Sequence, residues 1–227
     1  VHSSIRIKTI AVLGGTGREG RGLALRWARA GYHVVIGGRD LVRAETTATT
    51  LREKLDPMTR ISGALNLSAA QQADVIVLAV PFAAQLETAL QVRSGLEGKV
   101  LIDVTVPLVP PKVEVAQLPG GSAVERLQAA LGPEVAVVSA FQNVSAHHLA
   151  DLDHAIDCDV LICADDDRAA QTAVELAEAA GLQGWRCGPL KNSLVTEGLT
   201  SLLIAINRRY KVPSAGIRIT GVPTGAH

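Results

Sequence analysis

Lys8-Thr9-Ile10-Ala11-Val12-Leu13-Gly14-Gly15-Thr16-Gly17-Arg18-Glu19-Gly20 is the stretch that decides the fold. Its first half is a short apolar run rich in β-branched residues, which predicts a buried strand. Gly15-x-Gly17-x-x-Gly20 follows at once and opens a segment with helical spacing. Alone, Gly-x-Gly-x-x-Gly is a weak pattern; between a strand and a helix it gains a physical meaning. The glycines permit a tight bend and let backbone approach a diphosphate, whose charge meets the free amides of the helix start. The plainer reading is an ordinary glycine-rich strand-to-helix turn.

Outward from this bend the same alternation repeats. Arg18 to Ala30 reads as a helix stopped by Gly31, His33 to Ile36 as a second strand, and Asp40 to Leu55 as a polar helix. Ile61 to Leu67 is a candidate third strand. Asp74 to Val80, Lys99 to Val104 and Glu134 to Ser139 are apolar without alternation, as expected where helices cover both faces of a sheet. Strands alternating with helices at this spacing predict βαβ crossovers and a Rossmann-type, doubly wound parallel sheet, an α/β fold. Pro107 to Gly121, with prolines at 107, 110, 111 and 119, reads as an irregular connection.

The texture changes near residue 145, which predicts a Rossmann domain over 1–145 and a small C-terminal α/β domain over 146–227. The second part opens on a polar stretch, His147, His148, Asp151, Asp153 and His154. It continues with a strand at Val160 to Cys163, a helix from Arg168 to Ala180 and a strand at Leu182 to Cys187. Leu194 to Ile206 reads as a helix apolar nearly all round, so it should be buried between layers or against a second subunit. A homodimer is the expectation.

The tip of the second strand bears on which dinucleotide is bound. An Asp or Glu there would take the ribose hydroxyls of NAD. This chain has Ile36-Gly37-Gly38-Arg39, with Arg43 one helical turn on. Two guanidinium groups suit the 2′-phosphate of NADP. Asp40 is better placed to cap the helix that follows.

Composition narrows the remaining choices. Of 227 residues 48% are hydrophobic and only six are aromatic, a balance that suits helices packed on a parallel sheet. Twenty-two Lys and Arg offset 22 Asp and Glu, so no general attraction to nucleic acid or an anionic membrane is expected. No apolar run approaches the roughly 20 residues of a membrane span. Cys158, Cys163 and Cys187 lack paired ligand spacing and read as reduced core thiols. The polar opening, Val1 to Lys8, does not read as a secretory signal, and a cytoplasmic protein is expected.

The usual machinery for reducing carbonyls is absent. Neither Tyr32 nor Tyr210 has a lysine four positions later, and Lys191-Asn192 is followed by too little chain for a long all-helical catalytic domain. No catalytic side chain is therefore assigned, and an acceptor needing little help with protonation, such as a flavin-like ring, fits. Catalysis would then rest on holding two cofactors in near-attack geometry. The histidines and aspartates of 147–154 do not share one helical face. Asp165-Asp166-Asp167 stands where acids cap a helix and meet its dipole. No metal site is expected at either place.

Later blocks carry a more specific likeness. Ala11-Val12-Leu13-Gly14-Gly15-Thr16-Gly17, Gly20-x-Gly22-Leu23-Ala24-Leu25-Arg26, Val80-Pro81 and Val138-Ser139-Ala140 are joined by Ala164-Asp165-Asp166-Asp167 and Gly188-Pro189-Leu190. Asn192-Ser193, Glu197, Leu199-Thr200 and Gly216-Ile217 complete the series. In their order and spacing these blocks make the chain resemble the NADPH-dependent oxidoreductases of coenzyme F420, a 5-deazaflavin, over essentially its whole length. The resemblance implies reversible hydride transfer between nicotinamide C4 and deazaflavin C5 in a homodimer.

By matching positions, Thr16, Arg39 and Arg43 would hold the 2′-phosphate, and Gly15, Gly17, Arg18, Glu19 and Gly20 would form the diphosphate turn. Val80, Pro81 and Ala140 would flank the nicotinamide, while Gln142, Ala146, Leu199 and Thr200 would meet the deazaflavin. Two positions depart from archaeal members of the family, which carry Ser at Gly38 and His at Gln142. The alternatives are an NADPH-dependent reductase of a flavin or small carbonyl compound, and a non-catalytic redox sensor that binds NADP.

Overall fold

A computed structural model describes residues 7–109 and 113–222. The chain begins β1 (Thr9–Leu13), α1 (Arg18–Arg29), β2 (His33–Gly38), α2 (Leu41–Arg52), β3 (Ile61–Leu65), α3 (Asn66–Gln72) and β4 (Val75–Leu78). It continues with α4 (Gln85–Gln91), β5 (Val100–Asp103), β6 (Leu108–Val109), β7 (Glu114–Val115), α5 (Ala123–Leu131) and β8 (Ala136–Ser139). The remainder is α6 (Ala146–Leu149), β9 (Asp159–Ala164), α7 (Asp167–Ala179), β10 (Gln183–Arg186) and α8 (Ser193–Tyr210). Eight strands form one sheet in the order β10-β9-β8-β5-β4-β1-β2-β3, and β6 pairs with β7 apart from it. The chain reverses its winding between β1 and β4, so a crevice opens at their C-terminal ends, where Rossmann sheets take their ligands.

β4 is apolar on every residue, and β1 from Ile10 to Leu13, because both faces are covered. On β1, Ile10 and Val12 pack with Leu23, Trp27 and Ala44 on one side. Ala11 and Leu13 pack with Ala69, Ala89 and Leu96 on the other. Burying a side chain of this kind is worth about 1.5–3 kcal/mol. A polar residue at any of these positions would face an apolar layer.

Six strands are parallel, as the alternation predicted, but the last two are not. β9 runs antiparallel to β8, with Ser139 opposite Cys163, and β10 is parallel to β9. The segment from 140 to 158 carries only the four-residue α6 and a polar run that cannot pack on a sheet as a crossover helix does. It therefore returns to the end of the sheet it left. Arg26 of α1 holds this segment, donating to the carbonyls of His148, Leu149, Asp151 and His154, and to Ala180. Residues 146–227 thus supply two strands of the common sheet, and Val160 and Ile162 lie in the same core as Ile10.

Two further expectations are revised. The third strand stops at Leu65 rather than Leu67, and the unforeseen α3 follows. Within Pro107 to Gly121 the chain forms the small β6–β7 pair, while residues 110–112 of that prediction lie outside the described residues. Of the two places expected for the apolar helix α8, burial between layers is not what the chain shows, since its outer face is uncovered. Its Leu194, Val195, Leu202, Ile206 and Tyr210 are exposed, between 40% and 70% each. Among the described residues no helix is long and apolar enough to cross a membrane.

α8 is nonetheless fixed at its inner face. Glu197, buried, accepts hydrogen bonds from the amides of Ala123 (3.0 Å) and Val124 (3.1 Å) at the start of α5. Ser193 Oγ donates to Ser122 Oγ at 2.6 Å. The chain beyond α8 is tied to β9, where Asp159 Oδ2 accepts from Ile219 N at 2.7 Å and from Trp185 Nε1 at 2.8 Å.

Candidate active site

The bend after β1 is built for close approach. Gly14 has φ of 80°, and a Cβ there would lie 2.5 Å from the carbonyl oxygen of Ala79. At Gly20 a Cβ would meet the Gly15 backbone at 2.8 Å, so only glycine lets α1 start this near the bend. Gly17 is the N-cap of α1 and no side chain caps it, which leaves the first-turn amides available to an anion. Arg39 and Arg43 are exposed at the tip of β2 and the start of α2. Asp40 accepts from Arg43 N at 3.0 Å, the capping role expected of it.

A cavity of about 490 Å³ lies at this end of the sheet. Gly17, Arg18 and Glu19 enter it from α1, and Val80 and Pro81 from the end of β4. Gln142 and Ala146 line it from the segment after β8, and Thr200 from α8. Phe141, with φ of 70°, turns the chain between Ala140 and Gln142, and its ring meets Trp27 edge-on at 5.8 Å. A non-glycine residue in that conformation is held against its preference, and such positions gather at functional sites.

The predicted residues are not all brought together here. Ala140 is fully buried beneath the wall and does not line the cavity. Leu199 is half-buried on α8 beside Thr200 but also stays outside the lining. Gly15, Thr16, Gly20, Arg39 and Arg43 stand outside it as well, at the bend and at the β2 tip. Sequence reasoning missed Val104 and Thr105 after β5, and Leu203, Ile204 and Asn207 on α8. The α8 group follows Thr200 at three, four and seven residues, a spacing that could have revealed it.

The polar floor of the site is specific. Gln142 Nε2 donates to the Asp103 carbonyl at 2.8 Å, which fixes the amide orientation and leaves the buried Oε1 without a partner. Asp103 is fully buried and accepts from Thr105 N at 3.0 Å, from Thr105 Oγ1 and from Gln85. Burial pushes its carboxyl up to about 6 against those hydrogen bonds. Glu19, half-buried in the wall, is pushed up to about 8 by desolvation and then by the charge of Asp103. At neutral pH Glu19 is therefore mostly uncharged.

The other polar groups singled out in the sequence have structural partners. Asp166 caps α7 by accepting from Ala169 N at 2.7 Å, and Asp165 accepts from Leu190 N at 2.9 Å. His148 stacks on His154 at 4.3 Å between ring centres. Cys158 and Cys163 are buried and Cys187 half-buried, all as free thiols; burial pushes the Cys163 thiol up to about 12.

Residues 9–107 match a family model described as NADP oxidoreductase, coenzyme F420-dependent. An F420-dependent NADP reductase of Methanothermobacter marburgensis is 44% identical over 94% of this chain and 99% of its own. Another, of Methanocaldococcus jannaschii, is 39% identical over 94% of this chain and 98% of its own. For the fold, the crystal structure of an Arthrobacter protein provisionally named an F420 dependent NADP-reductase superposes with a TM-score of 0.79 at 23% identity. It covers 95% of this chain and 100% of that one. With identity of this order along nearly the full length of the first two, the chain belongs to the family of F420-dependent NADP reductases.

Proposed function

We propose that this protein transfers hydride reversibly between NADP(H) and coenzyme F420, and that it does so by positioning alone. The observation that carries the reading is the junction of an uncapped helix start with a walled cavity at the sheet's switch point. The nicotinamide supplies or takes the hydride at C4, and the deazaflavin exchanges it at C5. What the chain supplies is placement, and a site from which water is largely displaced.

Residues divide along the cavity. Gly15 to Gly20 cradle the diphosphate, with Thr16, Arg39 and Arg43 at the 2′-phosphate. A neutral Glu19 keeps negative charge away from that diphosphate. Val80 and Pro81 border the nicotinamide over the layer that contains Ala140, and Gln142, Ala146 and Thr200 border the deazaflavin, with Leu199 behind Thr200. In this division 1–145 serves NADP and 146–227 serves the acceptor, a functional split laid over one continuous sheet.

The working unit in this reading is a homodimer. The exposed apolar side chains of α8, Leu194, Val195, Leu202 and Ile206, support it, because contiguous apolar patches of this kind mark association surfaces. Free thiols and NADP chemistry fit a cytoplasmic setting. Light scattering on the purified protein tests the oligomer, and a monomer at micromolar concentration would refute it.

The deciding assay mixes protein, NADPH and oxidised coenzyme F420 and follows loss of the deazaflavin absorbance, with FMN and FAD in parallel. Turnover with the deazaflavin is expected. Brisk reduction of FMN without it would favour a flavin reductase, and NADPH binding without any turnover would favour a sensor.

A further inference from the structure

A second cavity, of about 720 Å³, opens between α1 and α2 and is bordered by the segment 145–150. Arg18 and Arg21 reach it from α1, Lys54 from the end of α2, and His147 from α6. No Asp or Glu lines it, in a chain where acids and bases are equal in number. None of its three cations takes part in a salt bridge among the described residues. Cations gathered around a hollow, unpaired, repel one another unless an anion joins them.

The two cavities adjoin. Arg18, Ser145 and Ala146 line both. A ligand whose ring lies against Ala146 and Thr200 in the first can therefore extend past Arg18 into the second. Coenzyme F420 has the matching form, a flat ring followed by a flexible chain bearing a phosphodiester and glutamyl carboxylates.

We propose that this second cavity holds the anionic chain of coenzyme F420, with Arg18, Arg21 and Lys54 as its anchors. The proposal rests on the reading that the first cavity takes the deazaflavin ring. Arginines give paired hydrogen bonds to phosphate or carboxylate, and Lys54 adds a point charge further along. The ring pocket would then set the chemistry, and the basic cavity would set how tightly the natural acceptor is held. The other phosphate that could lie here is the 2′-phosphate of NADP, since Arg43 is one turn before Thr46 and Thr47 of the lining.

The test uses Arg21→Ala/Lys54→Ala, two exposed side chains, and compares coenzyme F420 with 8-hydroxy-5-deazariboflavin, which has the ring and ribityl group but no anionic chain. The expected result is a KM for coenzyme F420 raised about tenfold, with the KM for the chainless acceptor and the Kd for NADPH unchanged. With the unaltered protein, raising salt from low to high should weaken coenzyme F420 and leave the chainless acceptor unaffected. Equal changes for both acceptors, or no change for either, would overturn the proposal. A raised NADPH Kd would assign the cavity to the 2′-phosphate instead. Should the unaltered protein turn over neither deazaflavin, the parent reading fails first and this one with it.

Discussion

Thr200 of α8 donates its Oγ1 hydrogen to the backbone carbonyl of Gln142, 2.6 Å away. That bond joins the last helix to the segment after β8 at the cavity wall. The same Gln142 is held from below by Asp103. The cavity wall is thus braced from α8 and from the sheet at one residue.

Thr200→Val removes the brace and keeps the volume. It should raise the KM for coenzyme F420 by about three- to tenfold, as for one lost hydrogen bond, and leave the NADPH Kd unchanged. Thr200→Trp should raise the same KM further by filling the cavity. Steady-state kinetics with binding calorimetry separates the two ligands. An NADPH defect in either variant would place Thr200 in the wrong pocket.

Arg39→Ala tests the choice of dinucleotide. A lost charge-assisted contact to the 2′-phosphate is worth about 1.5–3 kcal/mol, so NADPH affinity should fall by about ten- to a hundredfold. NADH, which lacks that phosphate, should bind as before. Equal losses for both would show that Arg39 does not read the group.

Glu19 predicts a pH effect with a definite sign. Its carboxyl, pushed up to about 8, is neutral below that pH and ionises above it, beside the position proposed for the diphosphate. NADPH binding should therefore weaken as pH rises through about 8. Glu19→Gln should bind NADPH normally at pH 7 and lose that alkaline weakening. Calorimetry between pH 6.5 and 9 checks this, and parallel profiles for the two proteins would refute it.

Arg26→Ala should be costly to stability. Arg26 is only 4% exposed and supplies hydrogen bonds to five carbonyls from two separate segments. Its loss leaves those oxygens short of donors and opens a void, for about 3 kcal/mol or more. Arg26→Lys should not rescue it, because an ammonium cannot reproduce the planar fork. The urea midpoint measures both, and a change under about 1 kcal/mol would refute the role.

Much of this architecture could be read from the chain. Ile10 to Leu13 and Val75 to Leu78 declared themselves because these stretches, covered on both faces, have no polar position. The bend at Gly14 to Gly20 did so because its geometry admits few other residues. The direction of β9 did not, since a strand's own residues do not encode it and the connection decides it. α3 escaped because it is seven residues long and starts without a side-chain cap. Of the cavity wall, Val80, Pro81, Gln142, Ala146 and Thr200 were legible through family likeness, whereas Leu203, Ile204 and Asn207 depended on which face of α8 turns inward. The left-handed backbone of Phe141 had no sequence signal at all.

Because β9 reverses, the chain leaves the sheet after β8 and re-enters beside its own exit. The ends of that detour are bound into the core through Phe141 and the carbonyls that Arg26 holds, while the side chains of Asp151, Asp153 and Ala155 face outward and can change without shifting any strand pairing. Sequence drift is therefore expected to gather at that outward stretch and to spare the two ends of the detour, which carry the strand exit and re-entry.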